Sequence, residues 1–206
     1  MNKLQQGVLV LREAFPLEIL TRFRIAAEAC PFPPISYSMK LESLREFGAD
    51  DLLNGIQTLA AEFMGQEVEC RLHESWVRKR FAPRNAPPQY HPNSWHQDGG
   101  LGVKYEATGE VGPMTQLVTC WIPLQDCGTQ SPGLEFVRQR LPGLLHYRDL
   151  NDTALRQRFA PELFWAPELH VGDAVVFLAD ILHRTHATPE MQTDRLSIEY
   201  RLFPLV

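Results

Sequence analysis

From Val68 onward the chain is written in short runs rich in β-branched and aromatic residues, cut apart by clusters of Pro, Gly and Asn. Runs of this kind suit strands, and the clusters suit the turns between them. The spacing predicts strands near Cys70–Phe81, Thr115–Pro123, Leu134–Val137, Ala174–Leu178 and Leu196–Phe203, with a short helix around Thr153–Phe159. So many short strands close most simply as a jelly roll.

The residues before Val68 read differently. Gly7-Val-Leu-Val-Leu11 is a continuous apolar run, which predicts a strand buried on both faces. Pro16 suits the first turn of a helix, where no backbone donor is needed. Leu20, Phe23, Ala27 and Cys30 then recur at steps of three and four, until Pro31, Pro33 and Pro34 end the pattern. A second helix is predicted from Asp50 or Asp51, acids that complement the positive helix end, through Leu52, Ile56, Leu59 and Phe63 to Gly65. Both helices should brace a sheet. The expected fold is mainly β with flanking α-helices, in one domain of 206 residues: a buttress over about 1–67 and a jelly-roll core over about 68–206.

Composition narrows the function. Hydrophobic residues at 44% and charged residues at 22% describe an ordinary globular chain. A formal charge of −5 argues against a nucleic-acid partner, because phosphates call for a basic excess. Small-molecule chemistry is the default that remains. Arg12 and Glu13 end the first apolar run well short of a signal peptide or membrane span. Cys30, Cys70, Cys120 and Cys127 form no C-x-x-C pair, so the expected setting is the cytoplasm, with reduced thiols. Oligomeric state and substrate identity leave no readable trace.

Two segments carry chemistry. In Trp95-His96-Gln97-Asp98-Gly99-Gly100, an imidazole and a carboxylate stand two residues apart, which on an extended strand puts both on one face. Alone, this pattern also fits a surface turn. In the second segment, Gly172-Asp173 launches an apolar strand, His183 stands at its far end, and Arg195-Leu-Ser197 opens the next strand. Two histidines and a carboxylate leave open positions on iron(II), an arrangement suited to a chelating 2-oxo acid and then dioxygen. Arg195 can grip a distal carboxylate with its planar fork, and Ser197 on the same face can add a hydroxyl. Equally, Arg195 can be a solvated strand charge paired with neighbours, since Glu199 and Arg201 share its parity.

Together these residues resemble the phytanoyl-CoA dioxygenase family of iron(II)- and 2-oxoglutarate-dependent oxygenases, over nearly the whole chain. Gly7 to Phe15 is similar to the family's opening strand, and Trp95-His-Gln-Asp98 to its most characteristic run. Thr119-Cys-Trp-Ile-Pro-Leu124 and Gly133-Leu-Glu-Phe-Val137 resemble its central strand pair. Leu144-Leu145-His146 departs from the Ser-His expected after the Pro142-Gly143 loop. The resemblance implies a double-stranded β-helix of cupin-like form. It implies iron ligands at His96, Asp98 and His183, and 2-oxoglutarate binding at Arg195. It also implies a cationic co-substrate contact upstream, for which Arg80 stands nearest and Arg78 is the alternative, and a stacking role for Trp121, which can equally be a core residue. The implied reaction consumes dioxygen and 2-oxoglutarate, releases succinate and carbon dioxide, and oxidises a C–H bond of a small substrate.

Two rival functions fit the same motifs: a cupin-like metal dioxygenase without a 2-oxo acid, and a catalytically silent jelly-roll binding protein. His186 competes with His183 as third ligand. His183 is preferred, because its longer interval to Arg195 better accommodates a strand end and a turn through Pro189. His73, His91, His146 and His170 have no ligand-like neighbours.

Overall fold

The computed structural model describes residues 7–34, 36–106 and 108–205; the expected single domain also spans residues 1–6, 35, 107 and 206, which lie outside the described set. Among the described residues, ten strands form two antiparallel sheets. They are β1 (Val8–Leu11), β2 (Ser38–Lys40), β3 (Val68–Cys70), β4 (Trp76–Arg80), β5 (Val118–Pro123), β6 (Gly133–Val137), β7 (Phe164–Trp165), β8 (Ala174–Leu178), β9 (His183–His186) and β10 (Arg195–Pro204). The larger sheet runs β1-β8-β5-β10-β4-β2 with β3 also on β10, and the smaller runs β7-β6-β9. This is the jelly roll expected from the strand texture.

The sheets meet through aromatic contacts such as Phe136 on β6 against Phe177 on β8, whose ring centroids lie 5.4 Å apart. Helices α1 (Leu17–Ala29) and α2 (Leu53–Met64) cover the other face of the large sheet. Leu20, Phe23 and Ala27 of α1 and Ile56, Ala60 and Phe63 of α2 are buried there at the predicted helical spacing. Pro16 stands at the N-cap of α1, one position before the first turn, and Gly65 ends α2 with φ of 72°, a left-handed cap that favours glycine. The short helix α3 occupies Asp152–Arg158 and is capped by the Asn151 side chain.

β10 sits at the centre and separates two chemistries. Leu196, Ile198, Tyr200 and Leu202 face the helices, and Tyr200 donates its hydroxyl to Ala49 O at 2.9 Å. Arg195, Ser197, Glu199 and Arg201 fall on the opposite face, towards the barrel interior, and all four are buried. The register aligns Arg201 with Thr119 and Phe177, Glu199 with Trp121, and Arg195 with Arg80.

Four expectations are corrected. The stretch Cys70–Phe81 is two strands, because a turn over Leu72–Glu74 breaks it and the Ser75 hydroxyl takes the Arg201 N–H that a continuous ladder would use. β1 is an edge strand with only Val8 fully buried, so it is not covered on both faces. His183 does not end β8; the chain turns at Ala179 and Asp180, and His183 opens β9 in the other sheet. Asp98 opens a short 3-10 turn over Asp98–Gly100 rather than continuing a strand.

Candidate metal centre

His96 lies in neither sheet, yet it exchanges backbone hydrogen bonds with His183 in both directions, N to O at 3.0 Å each way. This lone bridge sets the two imidazoles side by side, centroids 4.2 Å apart. Gln97 is extended (φ −122°, ψ 129°), so His96 and Asp98 leave the backbone on one side, as the sequence spacing predicts. The chain then turns tightly, and Gly99 donates its N–H to Ala179 O at 2.9 Å. A Cβ on Gly99 would come within 2.4 Å of Met114 Cγ, which explains the glycine after the carboxylate.

Backbone carbonyls orient both rings. His96 Nδ1 lies 2.7 Å from Ser94 O, and His183 Nδ1 lies 3.1 Å from Ile181 O. A carbonyl only accepts, so each Nδ1 donates its N–H there, and Nε2 is the ring atom turned towards Asp98. Those Nε2 atoms stand 3.8 and 3.9 Å from Asp98 Oδ1, and the three ligand atoms lie within 4.8 Å of one another. Burial, helped by the neighbouring His183, lowers His96 to about 4, so its ring is neutral at neutral pH.

Asp98 is held at both oxygens. Thr119 Oγ1 donates to Oδ2 at 2.5 Å, and Arg201 Nη2 donates to Oδ1 at 3.0 Å. Burial alone would raise this carboxyl; Arg201, the two imidazoles and the Thr119 hydroxyl outweigh it and hold Asp98 well below the usual carboxylate range. Arg201 Nη2 also reaches Glu199 Oε1 at 2.9 Å, and Glu199 accepts both arms of the Arg78 fork at 2.8 and 3.1 Å. Charges therefore alternate along the row Asp98, Arg201, Glu199, Arg78, of which the first three are buried and Arg78 is partly exposed.

His96 and His183 line a pocket together with Arg80, Trp121 and Arg195, and its end away from Asp98 is unbalanced in charge. Arg195 is 1% exposed and lies over the Trp121 ring, 4.8 Å from its centroid, and Trp121 is itself buried. Arg195 Nε and Nη1 and the Ser197 hydroxyl have no hydrogen-bond partner among the described residues. Such groups cost free energy to bury unless something completes them. The reading of Arg195 as a solvated strand charge is thus corrected. Arg80 is buried too, but its Nη1 faces Lys79 O at 2.8 Å and its Nη2 donates to Asn93 Oδ1 at 3.1 Å, which leaves only Nε unpartnered. Burial pulls Arg195 down to about 10 and, with Arg78 and Arg195 adding repulsion, Arg80 to about 9.

His186 points away from the three converging groups, half-buried beside Glu135, whose strand pairs with its own. The sequence motifs give Thr119, Arg201 and Glu199 no role at the site and offer Arg78 only as the alternative to Arg80 for the co-substrate, not as the partner of Glu199. Their one sequence signal was parity, since Glu199 and Arg201 alternate in step with Arg195.

No family model matches the chain, and neither does any curated protein. Solved structures do match it. EctD from S. alaskensis with bound Fe aligns over 97% of this chain and 73% of its own, with a TM-score of 0.74 and 14% identity. SnoK, a non-heme alpha ketoglutarate dependent carbocyclase from nogalamycin biosynthesis, aligns over 97% and 80%, with 0.71 and 18%. EvdO2 from Micromonospora carbonacea var. aurantiaca aligns over 99% and 91%, with 0.68 and 16%. At these identities the likeness establishes the shared double-stranded β-helix, and the chemistry rests on the residues of this chain. Among the described residues no helix is long and apolar enough to cross a membrane.

Proposed function

We propose that this protein is an iron(II)- and 2-oxoglutarate-dependent oxygenase of the phytanoyl-CoA dioxygenase type, acting on a C–H bond of a small organic substrate and releasing succinate and carbon dioxide. One observation carries the reading: two imidazole nitrogens and a carboxylate oxygen converge within 4.8 Å, and the pocket that both imidazoles line also holds the buried Arg195, whose Nε and Nη1 have no partner among the described residues. SnoK, described as alpha ketoglutarate dependent, and EctD, solved with bound Fe, support it by sharing the fold.

The residues fit the group. His96, Asp98 and His183 would hold iron(II), which favours this mixed nitrogen and oxygen set with open positions. With 2-oxoglutarate and dioxygen bound, the metal supplies the oxidant for the C–H bond. Arg195 offers Nε and Nη1 to the distal carboxylate of the co-substrate, and Ser197 adds its hydroxyl. Trp121 walls that subsite, with the Arg195 guanidinium lying over its ring. Arg80 adds positive charge and its single free Nε. Arg201 and Thr119 keep Asp98 ionised and aimed. Arg78, with its fork occupied by Glu199, supports this row.

The test is succinate release. With Fe(II), 2-oxoglutarate and a library of small substrates in air, the protein should release succinate above its uncoupled background for at least one compound. Anaerobic addition of 2-oxoglutarate to the Fe(II) protein should also raise a weak visible charge-transfer band. Absence of both would overturn the proposal.

A further inference from the structure

Between His96 and Asp98, the proposed ligands, Gln97 points the other way, and the residue is 5% exposed. A buried carboxamide needs partners, and this one has three. Its Nε2 donates to Asp180 O at 2.9 Å and to Gly143 O at 3.2 Å, and its Oε1 accepts the Leu145 N–H at 2.7 Å. Asp180 lies in the turn that leads to His183. Its own carboxylate accepts Arg140 Nε at 2.7 Å and the Leu141 N–H at 3.0 Å. The segment 140–145 is therefore stitched, by four polar contacts, to the run bearing His96 and Asp98 and to the turn before His183.

Apolar packing repeats the connection independently. Trp95 and Leu182, the residues just before His96 and His183, share a small core with Leu141 and Leu145. Beyond Leu145, the His146 ring meets Glu106 O at 3.2 Å and packs on Tyr147, which is 55% exposed.

The geometry points to Gln97 as a positioning residue that locks both ligand segments and the segment 140–147 into one unit, so that metal occupancy and the order of that segment are coupled. The inference rests on the iron-binding reading for its metal arm and on the hydrogen bonds alone for its loop arm. An N–H and two carbonyls lose their partner together when Gln97 is replaced by Leu, which keeps much of the volume. Gln97→Glu keeps the acceptor for Leu145 and loses the donor to the two carbonyls.

Mn(II) alone serves as the probe, followed by electron paramagnetic resonance titration and by amide hydrogen exchange over 140–147, in full-length wild type, Q97L and Q97E. In wild type, Mn(II) should slow exchange of the Leu145 amide about tenfold or more. In Q97L the metal-free exchange should be at least about tenfold faster, Mn(II) should no longer slow it, and the Mn(II) Kd should rise about tenfold. Q97E should fall between, and it decides the question if Q97L does not fold. Exchange and Kd equal to wild type in the folded variants would overturn the positioning role. Failure of wild type itself to bind Mn(II) would overturn the metal reading, and with it the coupling, even where the exchange difference showed that Gln97 anchors the segment.

Discussion

Arg201 places one nitrogen, Nη2, 3.0 Å from Asp98 Oδ1, the same oxygen that both imidazole Nε2 atoms approach. A carboxylate oxygen has two lone-pair sites, so one can serve Arg201 while the other serves a metal. Thr119 occupies Oδ2. The two contacts aim Asp98 so that Oδ1, the oxygen beside both imidazoles, keeps a lone pair for a cation.

Loss of either partner should therefore weaken metal binding without removing a ligand. Arg201→Gln and Thr119→Val are each expected to raise the Mn(II) Kd by about ten- to hundredfold. Calorimetric titration checks this. Affinities equal to wild type would show that neither contact orients Asp98.

The choice between the two histidines of β9 is open to a paired test. His183→Ala should abolish stoichiometric metal binding, whereas His186→Ala should retain it, because His186 lies on the other face beside Glu135. The same titrations decide. Retention by His183→Ala would remove it from the ligand set.

At the other end of the pocket, Arg195→Lys keeps the charge but replaces a two-armed fork by a point donor. The apparent affinity for 2-oxoglutarate should fall about tenfold in this variant and about a hundredfold in Arg195→Ala, the loss expected for charged hydrogen bonds left unmade. Succinate release as a function of 2-oxoglutarate concentration measures both. Unchanged affinities would assign Arg195 a purely structural role and favour a metal dioxygenase that needs no 2-oxo acid.

The lowered pKa of His96 sets a pH dependence. Its folded value of about 4 lies below the ordinary 6.5, so between those values the unfolded chain binds more protons than the native protein. This contribution to stability is complete above pH 6.5 and is lost as pH falls towards 4. The melting temperature of the metal-free wild type should decline over that window, and His96→Gln, which does not titrate, should decline less steeply. Parallel curves would contradict the assignment.

Much of the fold could be read locally. Ala174–Leu178 is a strand with the bounds its apolar run predicts, and α3 differs by one residue at each end from its expected span. His96, Asp98, His183 and Arg195 carry their signal in spacing along the chain, and the structure brings the first three together. What escaped depends on partners far away in sequence. Arg201 meets Asp98 across 103 positions, and only the register of β10 against β5 and β4 reveals that contact. The strand β9 escaped because His-Arg-Thr-His carries no apolar alternation, and its pairing is set by β6. The break at 71–75 escaped because its cause, the Ser75 hydroxyl on the Arg201 N–H, also lies across the sheet.

The two-faced burial of β10 restricts how this gene product can change. Removal or insertion of one residue between Arg195 and Leu202 would exchange the faces downstream of the event. A deletion early in the strand would swing Glu199 and Arg201 under the helices and turn Tyr200 and Leu202 into the pocket. Variants along this strand should therefore arise by replacement alone, and length variation should be confined to the connections on either side.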